Sequence, residues 1–221
     1  MPSRYTTKTY IENGYYHLYN RGVEKRALFL DKQDYNVFLS YLQSYLDPKN
    51  ENDLLNKLSK QNLPYQEKDK LLKLIRLNNF NNKIILLAYC LMPNHFHLFV
   101  QQKNTNAICE FMNSIGTRYA AYFNRKYQRV GHLFQDAYKA VLVESDEQFV
   151  HLSRYIHKQA LDLNNQPSSY PEYIGMRKTS WVNPEDVLSF FSNKISAASY
   201  ENFVRESEDN TIIENAIIDE P

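Results

Sequence analysis

Residues 84–92 form an unbroken apolar run, Pro93-Asn94 interrupts it, and a second run, His95-Phe96-His97-Leu98-Phe99-Val100, follows at once. The first run is about half the length a membrane span needs, so it reads as a strand buried on both faces. So short a connection makes the two strands antiparallel neighbours. Whatever the chain folds into, this hairpin sits inside it.

The segments on either side supply the remaining layers. Tyr15-Tyr16-His17-Leu18-Tyr19-Asn20 is rich in strand formers and ends at Arg21-Gly22. Over residues 31–46, Phe38, Leu39, Leu42, Tyr45 and Leu46 recur at helical spacing, with Asp31 as an N-cap. From 105 to 130, Ile108, Phe111, Met112, Ile115, Tyr119 and Tyr122 fall on one stripe of a long helix for which Gly131 supplies the stop. A strand is expected at 137–143. Ser145 and Gln148 then form a capping box that opens a last helix with Phe149, Leu152, Ile156 and Leu163 inward. Residues 47–83, dense in Lys, Asn, Asp and Gln with short leucine patterns, read as a helical insertion. The order predicts an α+β fold, a ferredoxin-like antiparallel sheet (βαββαβ) with one extra C-terminal helix. The expected organisation is a domain over 12–164 that carries the insertion, an irregular extension over 165–205 packed on it, and a disordered acidic tail over 206–221.

Charge and glycine narrow the function classes. With 26 Lys+Arg against 25 Asp+Glu the chain is nearly neutral, but six of the acids and none of the bases lie in the last sixteen residues. Residues 1–205 therefore hold 26 bases against 19 acids, a net of +7 that favours a polyanionic partner. The five glycines lie too far apart to build a dinucleotide-binding or P-loop phosphate cradle, which excludes nucleotide-driven chemistry of those types. Without an apolar signal core in residues 1–20 or a run long enough to span a bilayer, a cytoplasmic protein with no membrane partner is expected. Cys90 and Cys109, both in apolar stretches, fit buried small side chains.

His95 and His97 are the chemically suggestive pair. Two apart on a strand, their imidazoles leave the same face and can converge on one metal ion. A third donor is then needed. The last helix offers His151, Tyr155 and Gln159, four apart along one stripe. The Gln159 carbonyl would complete three neutral ligands and leave the Tyr155 hydroxyl one turn away. A phenol with a pKa of about 10 is a poor nucleophile at neutral pH. A divalent cation on a phosphate oxygen offsets that weakness and makes a phosphotyrosine ester reachable.

These features together resemble the single-tyrosine HUH transposases of the insertion-sequence-200 type, and among them the REP-associated tyrosine transposases. The matching segments are Tyr19-Asn20-Arg21-Gly22, Met92-Pro93-Asn94-His95-Phe96-His97, Gly131-His132-Leu133-Phe134-Gln135 and Tyr155-Ile156-His157-Lys158-Gln159. Ser168-Ser169-Tyr170-Pro171 and Trp181-Val182-Asn183-Pro184 are similar to the C-terminal extension of that group. The resemblance implies that 12–164 is a catalytic domain in which His95, His97 and Gln159 hold Mg²⁺ or Mn²⁺ and Tyr155 attacks single-stranded DNA with hairpin (REP-like) ends. It implies a 5′-phosphotyrosine intermediate and strand transfer without ATP, in a monomer or homodimer that associates with the nucleoid when on DNA.

DNA contacts are expected from Arg21, Lys25 and Arg26 after the first strand, from Arg118, Arg125 and Arg129 on the long helix, and from His132 and Gln135 in the following motif. Two other readings use the same residues. One is a domesticated protein that binds hairpin DNA without cutting it; the other is a metal phosphodiesterase that leaves Tyr155 dispensable.

Overall fold

The computed structural model describes residues 10–163, 166–191, 196–206 and 212–213. Among these, β1 (Tyr15–Arg21), β2 (Ile84–Met92), β3 (His95–Gln102) and β4 (Lys139–Leu142) form one antiparallel sheet in the order β2-β3-β1-β4. That is the ferredoxin-like arrangement the element order predicts. The strand with the histidines is interior: His97 lies opposite Tyr19 of β1 and opposite Cys90 of β2.

Each face of the sheet carries a core. On one side Leu18, Phe96, Leu98 and Val100 meet Phe38 and Leu42 of α1 (Lys32–Leu46) and Phe111, Ile115 and Tyr119 of α4 (Ala107–Lys126). On the other, Ala88, Cys90 and Phe99 meet Phe149, Leu152, Tyr155 and Ile156 of α5 (Asp146–Asp162). Both faces being covered explains why β2 is continuously apolar. A β-bulge between Leu86 and Ala88 inserts one residue, so Leu86, Tyr89 and Leu91 face the first core while Ala88 and Cys90 face the second. Each large side chain buried here stabilises by roughly 1.5–3 kcal/mol. Cores on both faces can therefore carry a polar strip of imidazoles at one end of β3.

The insertion is helical, as its leucine patterns suggest. α2 (Glu51–Leu58) and α3 (Tyr65–Arg76) pack on each other, and neither contains a buried residue. Asn50 Oδ1 caps α2 by accepting from Asp53 N, and Lys49 Nζ donates to the carbonyls of Ile75 and Leu77 at the end of α3.

The segment after α5 covers the outer edge of β2. Leu91 N donates to Pro167 O and Ser169 N to Tyr89 O, at 2.9 and 3.0 Å, so the edge is hydrogen-bonded and not left open. Beyond it, α6 (Tyr170–Tyr173), α7 (Glu185–Leu188) and α8 (Ser196–Arg205) add Tyr173, Val187, Tyr200 and Val204 to the second core. The tail expected at 206–221 falls almost wholly outside the described residues. Among those described, no helix is long and apolar enough to cross a membrane.

Several sequence expectations are corrected. The long helix ends at Lys126, well before Gly131, because Gln128 takes a left-handed backbone (φ 50°) and Arg129 N donates back to Asn124 O. That bond, from two residues past the C-cap to the carbonyl three residues before it, closes the helix with a Gln where Gly is usual. β4 covers only Lys139–Leu142 of the expected 137–143. Leu163 is 42% exposed and not inward, since it is the C-cap of α5. The capping box closes one residue early: Ser145 Oγ accepts from Gln148 N, but Gln148 Oε1 accepts from Glu144 N.

Candidate active site

Strand alternation places Tyr15, His17, Tyr19 and Arg21 of β1 and His95, His97 and Phe99 of β3 on the sheet face covered by α5. His95 and His97 stand edge to face with ring centroids 4.9 Å apart. Each is held from behind. Asn94 Oδ1 accepts from His95 Nδ1 at 2.7 Å, which assigns the His95 proton to Nδ1 and makes Nε2 its acceptor nitrogen. His97 Nδ1 lies 2.8 Å from His17 Nε2, and both rings are fully buried. Burial, then the neighbouring His17 and His95, push the His97 pKa well below the ordinary value, whereas the Gln159 amide works against them. His97 is thus a neutral imidazole, the form that binds metals.

The sheet meets the helix at this point. Tyr155 is 6% exposed, and its ring lies edge-on to His97 at 5.6 Å and to His17 at 6.4 Å. Gln159, one turn further along α5, is close enough to His97 to shift its titration. Neither His97 Nε2 nor Gln159 Oε1 completes a hydrogen bond, although both atoms are buried. Two buried polar atoms left without a completed hydrogen bond are costly; a cation satisfies both when His97 carries its proton on Nδ1, whereas a proton on Nε2 would be donated toward Gln159 Oε1. The donor set of two imidazoles and one amide oxygen suits a divalent ion that accepts mixed nitrogen and oxygen ligands. Among the described residues no cluster of three or more His, Cys, Asp or Glu offers another metal site. Cys90, across β2 from His97, is a core thiol that burial pushes far up.

His151, the other sequence candidate for a third donor, turns elsewhere. Its Nδ1 accepts from Arg154 at 2.9 Å, and its ring meets Phe203 of α8. It is half-buried, not exposed.

Backbone bonds tie the loops around Gly22, Pro93-Asn94 and Leu133 to one another. Gly22 N donates to Asn94 O, Val23 N to Leu133 O, and Leu28 N and Phe29 N both donate to Pro93 O, at 2.7–3.1 Å. A Cβ on Gly22 would lie 2.2 Å from Arg26 O, so this junction requires glycine. Arg21 shares the histidine face, opposite His95, and its Nε donates to Gln135 Oε1 at 2.5 Å. His132 and Gln135 are exposed, and with Asn20, Asn113 and Phe134 they line a groove of about 620 Å³ beside α4. Lys25 is exposed, and Arg26 pairs with Glu24 at 3.1 Å. Arg118 and Arg125 lie on α4, across the sheet from the histidines, and Arg129, expected on the same helix, falls just past its end. Of these Arg118 stacks on Tyr41 at 3.9 Å, Arg129 donates to Asn124, and Arg125 is exposed.

The family model described as "Transposase IS200 like" matches residues 49–159, half of the chain, a span that holds both histidines, Tyr155 and Gln159. The chain belongs to that family. As an IS200-like transposase it is an enzyme of DNA transposition. Among solved structures it is similar to a REP-associated tyrosine transposase bound to a REP hairpin. The TM-score is 0.51 at 10% identity, over 81% of this chain and 96% of that one, which establishes a shared fold. It also matches a transposase described as putative from Deinococcus radiodurans R1, with 14% identity over 70% of this chain and 97% of the other, at a TM-score of 0.36. No curated protein sequence matches it.

One residue of this transposase's site escaped the sequence reading. His17 sits in the first strand two residues before Tyr19, and the period-2 pattern puts both on one face. Only the pairing of β1 with β3 brings His17 beside His97.

Proposed function

We propose that this transposase cleaves single-stranded, hairpin-bearing DNA through Tyr155 and rejoins it by strand transfer, with Mg²⁺ or Mn²⁺ held by His95, His97 and Gln159. The observation that carries the reading is the Tyr155 ring set edge-on against His97, whose Nε2, like Gln159 Oε1 one turn along α5, is a buried polar atom without a completed hydrogen bond. When bound, the cation withdraws charge from the scissile phosphate and stabilises the charge that builds at its oxygens. The rest is done by side chains. α5 holds the Tyr155 ring against His97 and limits its freedom, so the phenol oxygen starts near the reacting phosphate. Its oxygen forms the bond to phosphorus as the bond to the 3′ oxygen breaks; the phenol proton is lost and the departing oxygen takes one up. A 3′-hydroxyl from a second end reverses the exchange. Because one phosphoester replaces another, no ATP is needed.

Arg21, on the histidine face and braced by Gln135, is suited to a phosphate beside the scissile one. The REP hairpin in the similar structure supports a hairpin substrate here.

The test is to incubate the full chain with labelled single-stranded hairpin DNA and Mn²⁺ and look for an adduct that survives denaturation. Tyr155→Phe should abolish the adduct and keep DNA binding. Cleavage that persists in Tyr155→Phe would refute the tyrosine mechanism. Binding without cleavage by the unaltered chain would identify a domesticated hairpin-binding protein.

A further inference from the structure

We propose that His17 is a positioning residue that fixes the tautomer of His97 for metal binding; the inference rests on the metal reading above. The two rings lie nearly parallel, 18° apart, and His97 Nδ1 and His17 Nε2 are 2.8 Å apart with both side chains fully buried. A neutral imidazole carries one proton, so only one of the two nitrogens facing each other donates.

The choice matters for chemistry. If His17 donates, His97 must place its own proton on Nε2, and that buried nitrogen can no longer offer a lone pair. If His97 donates from Nδ1, its Nε2 is an acceptor beside the equally unsatisfied Gln159 Oε1. Only the second arrangement lets a cation satisfy both atoms. His17 then serves as the acceptor that metal-bound imidazoles find on their other nitrogen, where a carboxylate or carbonyl is more usual. The role parallels that of Asn94, whose Oδ1 accepts from His95 Nδ1.

A purely structural role is the alternative, and it is physically weak. A buried hydrogen-bonded pair contributes little net stability, and an apolar pair of the same shape would serve the core about as well. Strand register also fits a positioning role. His17 lies opposite Phe99, diagonal to His97, and its ring also meets Tyr155 edge-on at 6.4 Å. One side chain thus backs the ligand and borders the nucleophile.

Mn²⁺ binding measured by calorimetry on the full chain without DNA tests this. His17→Phe, which keeps a ring but cannot accept, should weaken Mn²⁺ roughly 10–100-fold, and His17→Gln, whose amide oxygen can accept, should recover most of that loss. Unchanged affinity in His17→Phe, or equal weakness in Phe and Gln variants, overturns the assignment. Loss of Mn²⁺ binding in His95→Ala but not in His17→Phe defeats this inference alone. An unaltered chain that binds no Mn²⁺ defeats the metal reading with it. Should His17→Phe not fold, ¹⁵N spectra of the unaltered chain with Zn²⁺ decide: a hydrogen-bonded proton on His97 Nδ1 supports the role, and a proton on Nε2 overturns it.

Discussion

The Tyr155 ring meets the His97 ring edge-on, at 83° and 5.6 Å between centroids. The proposed nucleophile belongs to a helix and the proposed ligand to a strand, so their separation is set by how α5 packs on the sheet. Leu152, one turn before Ile156 and fully buried, is part of that packing. Leu152→Ala should destabilise the fold by about 2–5 kcal/mol. Because the helix can then settle differently, single-turnover cleavage should fall by at least about tenfold with hairpin affinity little changed. Chemical denaturation and a gel-based cleavage assay read the two effects separately.

Removing the metal should separate binding from chemistry. Chelation with EDTA is expected to stop cleavage while hairpin DNA still binds, because Arg21 and the other basic side chains need no cation. Mn²⁺ added in excess should restore the reaction. His97→Ala should behave like the chelated protein and resist rescue, and cleavage by His97→Ala at the unaltered rate would rule out the ligand assignment.

Asp34 should contribute to the loss of stability in acid. Its carboxylate is fully buried and accepts from Lys126, Tyr122, Tyr127 and Leu30 N at 2.7–2.9 Å. Burial alone would raise its pKa, but these hydrogen bonds prevail and hold it below the ordinary value. A depressed carboxyl contributes stability that is complete above the unfolded value of about 3.9 and lost as pH falls through the folded one. Asp34→Asn should therefore cost about 3 kcal/mol near neutrality and flatten the decline in stability below about pH 4. Urea titrations at several pH values measure both; an unchanged acid limb would show that another carboxylate is responsible.

Two arginines that look alike in the sequence should behave differently. Arg21 lies on the histidine face, so Arg21→Ala should weaken hairpin binding and reduce the salt slope by about one. Arg118 stacks on Tyr41 across the sheet, so Arg118→Ala should lower the melting temperature and leave the salt slope almost unchanged. Fluorescence anisotropy across a salt series distinguishes them, and a larger slope change in Arg118→Ala would reverse the assignment.

What the sequence revealed and what it concealed divide along the range of the interactions involved. The hairpin, the His95 and His97 pair, and the Tyr155 and Gln159 spacing all follow from periods of two and of 3.6 within short segments, and so does the cap at Asp31. The role of His17 depends on β1 lying beside β3, which no local pattern specifies. Arg118 was grouped with Arg125 and Arg129 by spacing, but the helix it faces, with Tyr41, is distant in sequence. The early end of α4 was hidden because Gln128, not a glycine, adopts the left-handed turn.

The bulge between Leu86 and Ala88 has a consequence for how this sequence can change. It acts as a phase shifter halfway along an apolar strand: Leu87 is the extra residue, so it and Ala88 both face the second core. The shift is carried by that one residue. Without it the strand would alternate regularly, with Leu86, Tyr89 and Leu91 still toward the first core, Ala88 and Cys90 still toward the second, and the pairing with the strand of the two imidazoles kept. The bulge is thus the place at which β2 can shorten without turning its other side chains over.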